Sequence, residues 1–225
     1  MISSKERKLE RMNSGLTDSL SPAAYNIAMM GTVLYGFIVN ALMVLFLGDA
    51  VYRLNINPIV FFIGYFICCL AGTFIAASDK PALSFLGYNL IVLPIGVMLC
   101  MLLPGYGAEI VMQAIVLTAG IVLVMLGLSG LYPRVFLSMG RALGVCLLVG
   151  LVLSLVGWFV AGINNFLVYA FAILFSLYIG YDLAKAQLYP KTLDNAIDSA
   201  IDIYLDIINL FLRILSILSR LRGDD

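Results

Sequence analysis

The sequence predicts an all-α polytopic membrane protein with seven transmembrane helices. Of the 225 residues, 63% are hydrophobic and the mean hydropathy is +1.06, whereas a soluble globular domain is about 45–50% apolar. The apolar residues form runs that match the roughly 20 helical residues needed to cross a hydrocarbon layer. Short breaks with turn residues, such as SDKP at 78–81 and PGYGAE at 104–109, separate the runs. Spans that are neighbours in sequence are therefore predicted to be antiparallel neighbours in space.

Seven spans account for the chain between a polar N-terminal tail and a short basic end. The predicted spans are residues 24–47, 58–77, 82–103, 109–131, 139–161, 165–187 and 196–220. Residues 1–23 are polar and contain no apolar run of signal-peptide length, so they are predicted to be a cytoplasmic tail rather than a cleaved signal. The membrane domain is predicted to cover residues 24–222.

The distribution of Lys and Arg predicts that the N-terminus is cytoplasmic. With that orientation, nine of the 13 basic residues lie at the inner face, three lie outside and Arg213 lies within the last span. The inner set is Lys5, Arg7, Lys8, Arg11, Lys80, Arg134, Arg141, Lys185 and Lys191, and the outer set is Arg53, Arg220 and Arg222. Because the basic end SRLRGDD fits this pattern poorly, a re-entrant last segment with both termini inside is an alternative.

The composition excludes several functional classes. Lys plus Arg and Asp plus Glu are both 13, so no basic surface for nucleic acid is expected, and there is no histidine. The chain therefore lacks the commonest metal ligand and every catalytic arrangement that uses a histidine base. No cofactor and no enzymatic activity are predicted, and pH sensing near neutrality would have to come from carboxylates.

Five charged residues lie within the predicted spans away from their polar ends, and they are the candidate functional residues. They are Asp182 and Lys185 in the sixth span and Asp202, Asp206 and Arg213 in the seventh. A central Asp costs about 2.5–3.5 kcal/mol to insert, so such residues are functional candidates by default. The sixth span turns polar at Asp182, and the apolar run of the seventh begins only at Ile203. Asp182 and Asp206 are therefore predicted to lie at similar depth, where they can face each other.

The seventh span carries four aspartates at four-residue spacing, which places them along one helical stripe. Thr192 or Asp194 can cap this helix, and acids in its first turns suit the helix dipole. Asp194 and Asp198 are therefore predicted to be a solvated N-terminal face that tolerates asparagine. Asp202 is intermediate, and Asp206 lies about one turn inside the hydrocarbon.

Simpler partners exist for both buried aspartates. Lys185 lies three residues after Asp182 on the same helical side and can pair with it. Arg213 shares the face of Asp206, but two turns, or about 10 Å, separate them. Asn209 is closer and can donate a hydrogen bond to Asp206, although it cannot neutralise the charge.

Two segments resemble the signature segments of the Bax inhibitor-1 family, also called the transmembrane Bax inhibitor motif family. They are LFSLYIGYDLAKAQ at 174–187 and AIDIYLDIINLFLRILSIL at 200–218. The pair Tyr181-Asp182 and the stretch YLDIINLF around Asp206 carry the resemblance. It implies six helices surrounding a central seventh, a pH-sensitive calcium leak, and a proton shared between Asp182 and Asp206 that gates the pore. The chain is similar to the bacterial members of the family, which implies that it is a multi-pass protein of a bacterial plasma membrane.

The chain departs from the family pattern at two places. Leu183-Ala184 follow Asp182 where many members have Thr-Gln, and Ala77–Lys80 replace a region where some members have an arginine that holds the sixth-span aspartate. Lys80 or Lys185 could substitute for that arginine.

General physical chemistry predicts the same switch. Two carboxylates within hydrogen-bonding reach in an apolar site cannot both ionise cheaply, so they share a proton and titrate as a unit. When both ionise they repel, and calcium becomes a natural partner because it prefers oxygen ligands. Asp182 and Asp206 are thus the predicted transient calcium ligands, with Tyr181, Lys185, Asp202, Asn209 and Arg213 as supporting residues.

Two other functions are compatible with these patterns. The chain could be a regulatory protein that binds other membrane proteins, such as a membrane-bound protease, through its polar tail. An intramembrane aspartyl protease also uses two membrane aspartates, but the chain contains no GxGD sequence. The pH-sensitive calcium-permeable channel is the function that the sequence favours.

Overall fold

Seven α-helices form the part of the chain that the structure describes. The computed structural model describes residues 19–157 and 162–223. The helices are α1 (Pro22–Arg53), α2 (Pro58–Ala76), α3 (Pro81–Leu102), α4 (Ala108–Leu131), α5 (Pro133–Val156), α6 (Ile163–Ala186) and α7 (Leu193–Gly223), with a 3₁₀ turn at Leu103–Gly105. The prediction of an all-α seven-helix architecture is confirmed, and most of the predicted tail lies outside the described residues.

The helix starts follow from local sequence. Proline occupies the first turn of α1, α2, α3 and α5, where its missing N–H costs nothing. The Asn57 side chain accepts from the Ile59 N–H at 2.9 Å and caps α2. The Thr192 hydroxyl accepts from the Asn195 N–H at 3.2 Å at the start of α7. Of the two predicted candidates for the cap, Thr192 and Asp194, it is Thr192 that accepts this bond.

Two predicted boundaries were wrong. Helix α1 continues to Arg53 rather than ending at 47, and it ends where Asn55 takes a left-handed φ of 45°, a conformation that terminates helices. Helix α5 begins at Pro133 rather than 139, because Pro133 is suited to a first turn. The predicted end of that span, at 161, lies outside the described residues.

Six helices, α1 to α6, are long and apolar enough to cross a membrane. Their exposed surfaces carry large apolar side chains, among them Phe46, which is 78% exposed, and Phe74, which is 79% exposed. Such surfaces require a lipid bilayer, so the chain is a multi-pass integral membrane protein. Helix α7 is more polar than the other six, and its apolar side chains, including Ile203, Tyr204 and Leu210, are buried within the protein.

The chain divides into two compact units, and α7 contributes to both. Among the described residues, the first unit contains 19–105 and 189–201, and the second contains 106–157, 162–188 and 202–223. In the first, α3 packs against both α1 and α2, and in the second, α6 packs against both α4 and α5. Helix α7 is one uninterrupted helix of 31 residues, which leaves no turn at which a re-entrant segment could reverse.

Glycine allows α2 and α3 to approach at backbone distance in the first unit. A Cβ on Gly87 would lie 2.5 Å from the Gly72 carbonyl oxygen and 2.6 Å from the Ala76 nitrogen. We expect Gly87→Ala to destabilise the protein by about 1–3 kcal/mol, because backbone atoms cannot move aside as a flexible side chain can. Thermal unfolding of the detergent-solubilised protein measures this effect.

Gly64 is the matched control for this prediction, because a Cβ there meets nothing within 4 Å. Gly64→Ala is expected to leave stability unchanged or to raise it by up to about 1 kcal/mol through helix propensity. Equal unfolding midpoints for the two variants would show that α2 and α3 do not approach this closely.

Candidate functional site

Asp182 and Asp206 lie together in the second unit. Asp182 is on the last turns of α6 and is 7% exposed, and Asp206 is in the first half of α7 and is 8% exposed. Their carboxyl groups lie close enough to hydrogen-bond. A hydrogen bond between two carboxyl groups needs a proton on one of them, so the geometry suits a shared proton.

The antiparallel course of α6 and α7 produces this meeting. Arg220, near the end of α7, donates a hydrogen bond to the Asn165 side chain at the start of α6. Lys185, at the end of α6, contacts Asp202, and Asp206 follows one turn later on α7. The Gly140 position on α5 leaves room for Tyr181, since a Cβ there would lie 2.6 Å from that ring.

A cavity of about 250 Å³ opens beside the two aspartates. Its described lining comprises Leu147, Phe175, Tyr178, Tyr181, Asp182, Lys185, Asp202, Leu205 and Asp206. The lining therefore combines three carboxylates and one amine with apolar and aromatic walls. Acidic groups at depth in such a cavity mark a candidate path or binding site for cations or protons.

Lys185 joins the two helices through ion pairs. Its Nζ lies 2.9 Å from Asp202 Oδ2 and 3.4 Å from Asp182 Oδ1. The lysine side chain is 29% exposed, and that of Asp202 is 45% exposed. The simple intrahelical pair with Asp182 is therefore present, but the shorter contact of Lys185 is with α7.

The other predicted supporting residues have different surroundings. Tyr181 lines the cavity, and its ring centroid is 5.8 Å from Lys185 Nζ. The Asn209 amide donates to the Leu205 carbonyl of its own helix at 2.9 Å. The Arg213 guanidinium lies over the Phe171 ring at 4.8 Å. Asn209 and Arg213 are not among the described residues that line the cavity.

Sequence reasoning missed Tyr178, which forms part of the cavity wall. Its ring packs edge-on against that of Tyr181, with centroids 6.4 Å apart. Tyr178 precedes Asp182 by four residues, so the two lie on one helical face. The four-residue spacing from Asp182 could therefore have identified Tyr178 from the sequence.

The prediction of a solvated face at the start of α7 was wrong for Asp194. Asp194 is 8% exposed and accepts a hydrogen bond from Ser84 Oγ at 2.5 Å, and Ser84 is fully buried. Asp198 is half-buried rather than solvated. The loop after α6 is short, so the first turns of α7 pack at once against the start of α3.

Tyr25 and Ser199 extend this polar contact within the first unit. The Tyr25 hydroxyl hydrogen-bonds with Ser199 Oγ at 3.1 Å and donates to the Asn195 carbonyl at 3.3 Å. Lys191 Nζ lies 4.3 Å from the Tyr25 ring centroid, and partial burial lowers the pKa of the Lys191 amine. Ser84, Asp194, Tyr25 and Ser199 are called the α7-start cluster below.

One oxygen of the aspartate pair has capacity to bind a further group. Asp206 Oδ2 is buried and has no hydrogen-bond partner among the described residues. The same part of the chain contains no group of three or more His, Cys, Asp or Glu side chains already arranged to hold a metal ion. The site therefore suits a proton directly, and a divalent cation would need some of its carboxylates to move.

Comparison with known proteins places the chain in a family. The family model described as inhibitor of apoptosis-promoting Bax1 matches residues 19–223. Two relatives from strains of Helicobacter pylori are both described as uncharacterized proteins. One is 29% identical over 215 residues, covering 92% of each chain, and the other is 29% identical over 195 residues, covering 82% of this chain and 83% of its own. The chain belongs to the Bax inhibitor-1 family.

Proposed function

We propose that the protein is a pH-sensitive, calcium-permeable membrane channel gated by Asp182 and Asp206. The observation that carries this proposal is the pairing of two buried carboxyl groups, from different helices, at the wall of a cavity. No enzymatic step and no cofactor are needed for this activity. Calcium ions and protons are the species that the site handles.

The proton state of the pair couples to the packing of α6 against α7. With one shared proton, a hydrogen bond holds the two carboxyl groups together and the cavity remains closed. When the proton leaves, two carboxylates face each other in apolar surroundings and repel. Separation of the helices then widens the cavity, and calcium is attracted because it prefers carboxylate oxygens.

Calcium flux into proteoliposomes at a series of pH values tests the proposal. Flux is expected to be small at low pH and to rise over roughly one to two pH units as the pair loses its proton. Flux that is absent at every pH, or that is equal in empty liposomes, would contradict the channel function. Deletion of residues 1–20 should leave the flux intact, whereas an activity that depends on a tail-bound partner would be lost.

We also propose a bacterial plasma membrane location with the N-terminus in the cytoplasm. The Leu20 N–H donates to the Lys191 carbonyl at 2.6 Å, which supports placing the tail and the loop before α7 on the same side. The basic residues Lys80 and Lys191 both lie in loops at this end of the first unit, near Ser84 and Asp194, as the positive-inside pattern requires.

Cysteine labelling tests this orientation. Single cysteines at positions 8 and 191, in a cysteine-free background, are expected to react with a membrane-impermeant reagent only after the cells are opened. A cysteine at position 55 is expected to react in intact cells. Labelling of position 8 in intact cells would reverse the topology.

A further inference from the structure

Lys185 places its ammonium between carboxylates of two helices at the wall of the cavity. Its ammonium is 2.9 Å from Asp202 on α7 and 3.4 Å from Asp182 on α6, so carboxylates of both helices already coordinate one positive charge. The ammonium is carried on a flexible four-carbon stem. It is therefore a cation that cannot diffuse away but can swing aside.

The cavity has more acceptor oxygens than this ammonium satisfies. Three carboxylates line it, and Asp206 Oδ2 is without a hydrogen-bond partner in the described part of the chain although Asp206 is only 8% exposed. Calcium takes six to eight oxygen ligands, supplied by carboxylates and water. The unsatisfied oxygen therefore points to an occupant of the cavity besides the ammonium, which is the proton shared with Asp182 in the closed state and a divalent cation once that proton has left.

We infer that Lys185 is a tethered competitor of divalent cations: its ammonium holds Asp182 and Asp202, and a cation that binds the three aspartates must displace it. The inference rests on the proposed function, because it assumes that calcium reaches this cavity. Competition by Lys185 explains why the three carboxylates are not arranged as a metal site while the ammonium contacts Asp182 and Asp202. Swinging Lys185 out frees an oxygen of Asp182 and an oxygen of Asp202 beside Asp206.

A purely structural role for Lys185 makes a different prediction. If its ion pairs only join α6 to α7, then removing the charge weakens the packing and does not improve cation binding. If Lys185 is a competitor, removing its charge strengthens cation binding, because the carboxylates of Asp182 and Asp202 then have no positive charge beside them. The sign of the change in calcium affinity separates the two roles.

Equilibrium binding of calcium to the purified full-length protein tests the inference. Lys185→Met keeps the stem and removes the charge, and we expect it to lower the Kd for calcium about tenfold, on the scale of a partly buried ion pair. Lys185→Arg retains the charge and is expected to keep the weaker affinity. Arg134→Met is the matched control, since Arg134 is an exposed basic residue in the first turn of α5. The Kd of this variant is expected to equal that of the unmodified protein.

Calcium flux measured on the same variants distinguishes failure of the inference from failure of the channel function. If the unmodified protein conducts calcium but Lys185→Met leaves the Kd unchanged or raises it, the competitor role is overturned and the proposed function stands. If no variant conducts calcium but Lys185→Met binds it more tightly, the competitor role stands and the channel function fails. Binding that persists in Asp182→Asn/Asp206→Asn would place the calcium elsewhere and overturn the inference.

Discussion

Asp206→Asn is expected to abolish the rise of calcium flux with pH near neutrality, and Asp182→Asn is expected to do the same. Each substitution removes one of the two carboxyl groups that lie within hydrogen-bonding reach. The remaining carboxyl group has lost the partner with which it shares a proton, so the coupled titration of this pair disappears, although Asp202 still lines the same cavity. The measurement is calcium flux into proteoliposomes at pH values from ~5 to ~9, on both sides of neutrality.

The two single variants and the double variant should resemble each other in this respect. Each change alone breaks the pair, so a second change has no further switch to remove. Their flux at a fixed pH need not agree, because Asp182 also contacts Lys185 at 3.4 Å and Asp206 does not share that contact. Asp202→Asn is the matched comparison, since Asp202 lines the same cavity but its side chain is 45% exposed.

Asp202→Asn is expected to keep a pH-dependent flux with a shifted midpoint. Its carboxylate adds a negative charge to the cavity but is not one of the two groups that share the proton. If Asp182→Asn or Asp206→Asn retained the pH midpoint of flux of the unmodified protein, the two carboxyl groups would not be coupled. Asp182 would then be only an ion-pair partner of Lys185.

Much of this architecture could be predicted from the sequence because insertion into lipid imposes simple rules. Runs of apolar residues of fixed length, with proline or turn residues between them, define α1 to α6 within one or a few residues at most ends. The same rule identified Asp182 and Asp206, since a charge inside an apolar run is rare enough to stand out. Their contact then followed from the antiparallel course of α6 and α7, which the short loop between these helices imposes.

The positions that the sequence did not predict depend on tertiary packing. Asp194 precedes the apolar run of α7, and its burial comes from Ser84, 110 positions away in the chain. Likewise, Lys185 was expected to be a local partner of Asp182, whereas its 2.9 Å contact with Asp202 needs the α6–α7 packing. Periodicity gives the face on which a residue lies, but it does not say which element covers that face.

Asp194→Ala is expected to lower the stability of the protein. Ser84 is fully buried and its hydroxyl donates to Asp194 Oδ1 at 2.5 Å. A hydrogen bond to a charged group contributes about 1.5–3 kcal/mol. After truncation of Asp194 the Ser84 hydroxyl retains only neutral carbonyl acceptors, at Ala76 and Ser78, 3.1 and 3.2 Å away. The acid also lies in the first turn of α7, where the helix dipole favours a negative charge. Thermal unfolding in detergent is expected to show a lower midpoint than for the unmodified protein.

Asp49→Ala is the control for this change, because Asp49 is an exposed carboxylate of the same unit and its loss should leave the midpoint nearly unchanged. Asp194→Asn should lie between the two, since its amide oxygen still accepts from Ser84 while the charge is lost. Ser84→Ala combined with Asp194→Ala should cost less than the sum of the single changes if their contact contributes to stability. Asp194 precedes Asp206 by more than three turns along α7, so the flux per folded molecule should keep its pH dependence in Asp194→Asn. A midpoint for Asp194→Ala as high as that of Asp49→Ala would mean that Asp194 is solvated, as the sequence alone suggested.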